Sequence, residues 1–127
     1  MQPKILIIED DQHIASLYEE VFRAAGLDIE ILNTGGEAIE RLKEIREGKK
    51  EKPNLILLDL ILPDMNGIDI LKEARGYPET KELKIFALTN YSNPEFVQEL
   101  KKENINNILI KTEYTLSDLI KIIKEAL

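Results

Sequence analysis

Apolar residues follow two alternating rhythms along this chain. Short apolar runs occur at residues 4–8, 29–32, 55–58, 85–88 and 108–110, and between them apolar positions recur at the three-to-four-residue spacing of a helix. Such alternation predicts five consecutive βα units. The run Leu55-Ile56-Leu57-Leu58 has no polar alternation, as expected of a strand covered on both faces. The pattern therefore predicts an α/β fold built on a doubly wound, mostly parallel sheet.

The helices have readable limits. Residues 12–25 place Ile14, Leu17, Tyr18, Val21 and Phe22 on one face, with Gly26 where a left-handed terminal residue is expected. Thr34 and Glu37 form a capping-box pair ahead of a helix through Ile45, and the charged stretch 47–52 reads as a solvated loop before Pro53. Gly67 opens a helix to about Arg75, Asn93 caps one whose first residue is Pro94, and Thr115 with Asp118 starts the last. No linker, low-complexity tract or repeat interrupts residues 1–127, which are expected to form one domain.

Composition narrows the chemistry. The absence of cysteine removes disulfides, thiolate metal sites and cysteine nucleophiles, and the single histidine, His13, cannot build a multi-histidine site. Any metal must be a hard, oxygen-bound cation. A net charge of −7 argues against nucleic acid as a direct partner and favours a protein. No apolar run approaches the roughly 18 residues of a membrane span and no basic, apolar leader precedes Lys4, so no membrane insertion and a cytoplasmic location are expected.

In doubly wound sheets the ligand site lies beyond the carboxyl ends of the strands. The residues there are Glu9, Asp10 and Asp11 after the first run, Asp59 after the third, Thr89 after the fourth and Lys111 after the fifth; the second is followed by the uncharged Asn33. Asp11 reads as the N-cap of the first helix. Carboxylates gathered at one rim repel and raise one another's pKa unless a cation compensates, and an oxygen-only cluster suits Mg²⁺, with Mn²⁺ an acceptable substitute. Mg²⁺ retains open or water-filled positions that a phosphoryl oxygen can take. A carboxylate can itself attack phosphorus to form an aspartyl-phosphate, while metal, Lys and hydroxyl donors stabilise the equatorial oxygens. Asp59, Asp10, Lys111 and Thr89 supply those parts.

Four segments carry a family likeness: Ile5-Leu6-Ile7-Ile8-Glu9-Asp10-Asp11; Pro53-Asn54-Leu55-Ile56-Leu57-Leu58-Asp59-Leu60-Ile61-Leu62-Pro63-Asp64-Met65-Asn66-Gly67; Leu88-Thr89; and Ile110-Lys111. Through them the chain resembles, end to end, the receiver domain of two-component response regulators. The most specific part is the apolar strand, Asp59, a proline four residues on and a glycine eight residues on. The resemblance implies a flavodoxin-like (βα)5 fold with strand order 2-1-3-4-5. It also implies that Asp59 is the phosphoacceptor and that Asp10, Asp59 and the backbone carbonyl of Ile61 hold the metal. Glu9 would act through a metal-bound water, Thr89 would hydrogen-bond the phosphoryl group, and Lys111 would pair with it.

A sensor histidine kinase or histidine phosphotransfer protein is the implied donor. With no output domain expected beyond Leu127, an unidentified downstream protein is the implied target. The chain is expected to catalyse its own phosphorylation and dephosphorylation, with no external substrate. Three positions depart from the family habit. Ile108 stands where an aromatic usually reports phosphorylation, Asn90 replaces a small residue after Thr89, and Thr112 replaces the proline after Lys111. Tyr91 is a candidate to take over part of the signalling.

Other functions fit less well. A phosphatase of the haloacid dehalogenase type needs a second Asp two residues after the nucleophile, where this chain has Ile61. A flavodoxin-like electron carrier would have its flavin phosphate repelled by Glu9-Asp10-Asp11. A phosphorylation-independent interaction module with the same fold is the second reading.

Overall fold

The computed structural model describes residues 2–90 and 93–127, and the structural statements that follow concern those residues. Tyr91 lies outside them. Strands β1 (Lys4–Ile8), β2 (Asp28–Leu32), β3 (Leu55–Asp59), β4 (Ile85–Thr89) and β5 (Asn107–Ile110) alternate with helices α1 (Gln12–Ala24), α2 (Gly35–Arg46), α3 (Gly67–Arg75), α4 (Pro94–Lys102) and α5 (Leu116–Ala126). Every strand pair is parallel, in the order β2-β1-β3-β4-β5. The expected flavodoxin-like topology is present.

The unbroken apolar runs have a simple cause. Leu6, Ile8, Ile56, Leu58, Ile85 and Ala87 face α2, α3 and α4, whereas Ile5, Ile7, Leu55, Leu57, Phe86 and Leu88 face α1 and α5. Both faces of the central strands are buried, so successive side chains of either orientation must be apolar. At the edges β2 and β5 burial is only partial. The register aligns Ile8 with Leu32 and Leu58, Asp59 with Leu88, and Thr89 with Ile110, so the strands end level with one another. Polar residues that follow them consequently share one rim.

Most helix starts are as expected. Asp11, Thr34, Asn66, Asn93 and Thr115 each accept a backbone N–H of the helix they precede. The box of α5 is complete: Thr115 Oγ1 accepts the Asp118 N–H at 3.1 Å and Asp118 Oδ2 accepts the Thr115 N–H at 3.0 Å. In α2 only half of the expected box forms, because the Glu37 carboxylate takes the Thr34 hydroxyl, at 3.2 Å, instead of its backbone N–H. On α1 the buried stripe is Ala15, Tyr18 and Phe22, a three-and-four spacing that leaves Leu17 46% exposed, outside the face to which its hydrophobicity had assigned it. Residues 47–52 form an exposed loop, and after β5 the chain winds a short 3₁₀ turn, Lys111–Glu113.

Candidate functional site

The rim brings together the residues read from the strand ends. Glu9 begins the β1–α1 loop, where its N–H donates to the Leu32 carbonyl at 2.9 Å; its side chain is buried and Asp10 beside it is exposed. Asp11 caps α1, its Oδ1 accepting from the N–H groups of His13 at 2.9 Å and Ile14 at 3.1 Å, and it also borders the depression that the rim residues line. Asp59 is the last residue of β3. Its Oδ1 accepts the Ile61 N–H at 3.1 Å, and its Oδ2 accepts from Lys111 Nζ at 3.2 Å. Lys111 Nζ also donates to Glu9 Oε1 at 2.9 Å. Thr89 is buried at the end of β4. Glu9, Asp10, Asp59, Ile61, Thr89, Asn90 and Lys111 line one depression of about 310 Å³. That lies at the small end of ligand sites, which span roughly 300–1,000 Å³, and suits a hydrated ion with a phosphoryl group better than a nucleotide or flavin.

The charges do not balance by themselves. Glu9, Asp10 and Asp59 can each present an oxygen with all three oxygens within 4.8 Å of one another, against the single ammonium of Lys111. Burial, with a hydrogen bond to Asp59, raises the Glu9 pKa from its ordinary 4.5 to about 7, outweighing the lowering by Lys111. Burial disfavours the Lys111 charge, but Glu9 and Asp59 more than offset it, and its pKa is raised. A buried carboxyl that holds a proton near neutrality, beside two further carboxylates, is the electrostatic signature of a group waiting for a cation. The all-oxygen donor set fits a hard divalent ion. In this metal-compatible cluster Asp10 and Asp59 are the less buried members, open to the depression.

Two positioning features were not legible from the strand ends. The second strand's follower, Asn33, donates from Nδ2 to the Glu9 carbonyl at 3.1 Å. Asp64, in the loop after Asp59, accepts the N–H groups of Gly35 and Gly36, each at 2.8 Å, across the N-terminus of α2. That loop is closed at its base by the Gly67 N–H on the Leu60 carbonyl at 2.7 Å and by a bridge between Ile61 and Asn66. A Cβ at Gly67 would lie 2.6 Å from the Asp59 carbonyl oxygen and 2.8 Å from Leu60 Cα, both backbone atoms. Only glycine lets α3 begin this close to the end of β3.

Residues 5–124 match the family model of the response regulator receiver domain. The chain belongs to that family. Among solved structures it is similar to the chemotaxis protein CheY4 of Vibrio cholerae, with 25% identity, a TM-score of 0.85 and complete coverage of both chains. It is also similar to the Mn²⁺-bound form of the response regulator Rcp1, with 30% identity, a TM-score of 0.81, and coverage of 97% of this chain and 90% of that one. A curated relative, the DNA-binding response regulator MtrA of Mycolicibacterium smegmatis, is 37% identical over 76 residues, 60% of this chain but 31% of that protein. The chain thus spans about a third of the length of that relative. Receiver domains bind a divalent metal at an acidic cluster, and Glu9, Asp10 and Asp59 form such a cluster in this receiver domain. No helix of the described residues is long and apolar enough to cross a membrane.

Proposed function

We propose that Asp59 accepts a phosphoryl group from a phosphohistidine of a sensor histidine kinase or phosphotransfer protein, in a Mg²⁺-dependent step, and that the phosphorylated domain signals to a protein partner. The observation that carries this reading is the placement of Asp59 between the Ile61 N–H and Lys111 Nζ, with the oxygens of Glu9 and Asp10 alongside.

Asp59 Oδ1 accepts the Ile61 N–H and Oδ2 accepts from Lys111 Nζ, which orients the carboxylate plane. An Asp59 oxygen forms a bond to phosphorus as the phosphorus–nitrogen bond of the donor breaks, its electron pair staying on the imidazole nitrogen. Lys111 has three N–H donors; two face Glu9 and Asp59, and the ammonium would also pair with a phosphoryl oxygen. Thr89, buried at the end of β4, lines the same depression and would hydrogen-bond the phosphoryl group. Asp10, Asp59 and the Ile61 carbonyl would hold the cation, with Glu9 as an outer partner. When bound, Mg²⁺ neutralises charge on the phosphoryl oxygens and on the carboxylates. Dephosphorylation reverses the outcome: a water oxygen attacks phosphorus, the bond to Asp59 breaks, and its electron pair returns to the carboxylate with release of inorganic phosphate. The protein turns over no other substrate. Signalling is a population shift without the aromatic half of the usual switch, since Ile108, partly buried against the core, stands where the family usually carries an aromatic.

The test is intact mass after incubation with Mg²⁺ and acetyl phosphate, and with a phosphorylated histidine kinase. One phosphoryl adduct is expected on the wild type, abolished by chelating the metal and absent from Asp59→Asn. No adduct from either donor would replace this reading by a phosphorylation-independent interaction module.

A further inference from the structure

The two loops that would carry the cation's ligands are tied to one short junction that itself contributes no ligand. That junction, residues 33–36, links β2 to α2. On one side Asn33 Nδ2 holds the Glu9 carbonyl at 3.1 Å. On the other, the first two N–H groups of α2, from Gly35 and Gly36, hold both oxygens of Asp64 at 2.8 Å each. Met65 presses on the same place. A Cβ at Gly35 would come within 2.1 Å of Met65 Cγ and 2.5 Å of its Sδ, so any larger residue there would require the Met65 side chain to move.

From these contacts we infer that Asn33 and Asp64 are positioning residues that preorganise the cation site, bracing the Glu9-Asp10 loop and the Ile61 loop against the N-terminus of α2. The inference rests on the proposed placement of Mg²⁺ among Asp10, Asp59 and the Ile61 carbonyl. The physical need is plain. Acidic groups crowded at one rim repel one another once ionised, whereas Mg²⁺ demands near-octahedral oxygens at about 2.0–2.1 Å. Ligands held in advance do not have to be ordered when the ion arrives. Asp64 suits the task because a carboxylate at a helix N-terminus gains from two charge-assisted bonds and from the helix dipole. The same two N–H groups lower the Asp64 pKa, so the clamp is charged at neutral pH.

The experiment is Mg²⁺ titration by calorimetry on the full chain, well below its melting temperature, with thermal melts alongside. Asp64→Ala and Asn33→Ala are each expected to weaken Mg²⁺ about tenfold, the low end for residues that orient metal ligands. Asp64→Asn, which keeps one acceptor but also loses the charge, should fall between wild type and Asp64→Ala. Asn33→Ala changes no charge, so a loss there is not a long-range electrostatic effect. Asp118→Ala breaks the distant capping box of α5 and serves as the control, with a lower Tm and unchanged Mg²⁺ affinity. Amide exchange in chelator should quicken at Ile61 in Asp64→Ala and not in the control. If both alanine variants bind Mg²⁺ as tightly as wild type while melting earlier, the bonds are merely structural and the inference is overturned. A wild type that takes up no Mg²⁺ removes the metal reading itself, an outcome distinct from failure of the brace alone.

Discussion

The two ends of the sheet are built on opposite principles. At the carboxyl ends of the strands, charged side chains pair with one another as well as with backbone, and three carboxylates crowd one ammonium. At the amino ends, the bonds that join the strand starts run mainly from side chains to backbone. Asn54 Oδ1 accepts the Lys4 N–H at 2.8 Å while its own N–H donates to the Lys4 carbonyl at 2.8 Å, joining the starts of β1 and β3. Asn106 does the same for Ile85 and the start of β4. Arg75, at the end of α3, gathers the carbonyls of Lys81, Leu83 and Asn104 and the Asn106 Oδ1. One rim ties the strand starts together through hydrogen bonds to backbone, although the buried Arg75 Nε finds no partner among the described residues. The other gathers more acidic groups than its one ammonium balances, a deficit met by a proton on Glu9 or by a cation. Stability and function are thus separated along the strands, by some five residues of buried sheet.

The largest test of this separation is Arg75→Ala, which strips four hydrogen bonds from three chain segments. It should cost about 3 kcal/mol in urea unfolding, yet leave phosphorylation of the folded protein unchanged. A loss of phosphorylation that outruns the loss of fold would show the two rims to be coupled.

A pH series sharpens the same contrast from the other side. The folded-state pKa of Glu9, about 7, lies above its ordinary 4.5, so the folded state keeps a proton that the unfolded chain gives up. Its contribution to stability is complete below about pH 4.5 and disappears as pH rises through about 7. In chelator, the urea midpoint should therefore fall between pH 5 and pH 8 by an amount worth about 2 kcal/mol. Glu9→Gln should flatten the profile, and saturating Mg²⁺ should reverse the fall by supplying the missing positive charge. The smallest expected effect is Asn54→Ala, which removes one side-chain bond at the amino rim. A loss of about 1 kcal/mol is expected, with no change in phosphoryl acceptance. A midpoint indistinguishable from wild type would mean that the backbone pairing of residues 4 and 54 suffices there.

What could be read from the sequence follows the same division. Glu9, Asp10, Asp59, Thr89 and Lys111 each interrupt or terminate an apolar run, and a parallel sheet with level strand ends turns those interruptions into one cluster. The strand order came with the family resemblance, since periodicity does not say which strands are neighbours. Asn33, Asp64, Asn54 and Arg75 gave no comparable signal. Except for the two Arg75 bonds to Lys81 and Leu83, their bonds reach across 24 to 50 residues, and they end mostly on backbone atoms, which carry no residue identity for a pattern to reveal. Leu17 misled because hydrophobicity marks a preference for burial, while its angular position on α1 decides the outcome.

The exposed charged loop between α2 and β3 has a practical consequence. Residues 47–52 lead into the amino end of β3, at the opposite end of that strand from Asp59. A short epitope or fluorophore-bearing cysteine grafted there would sit on polar, solvated backbone, where insertions are tolerated best. It would let the domain be immobilised or tracked with its acidic pocket facing outward and undisturbed.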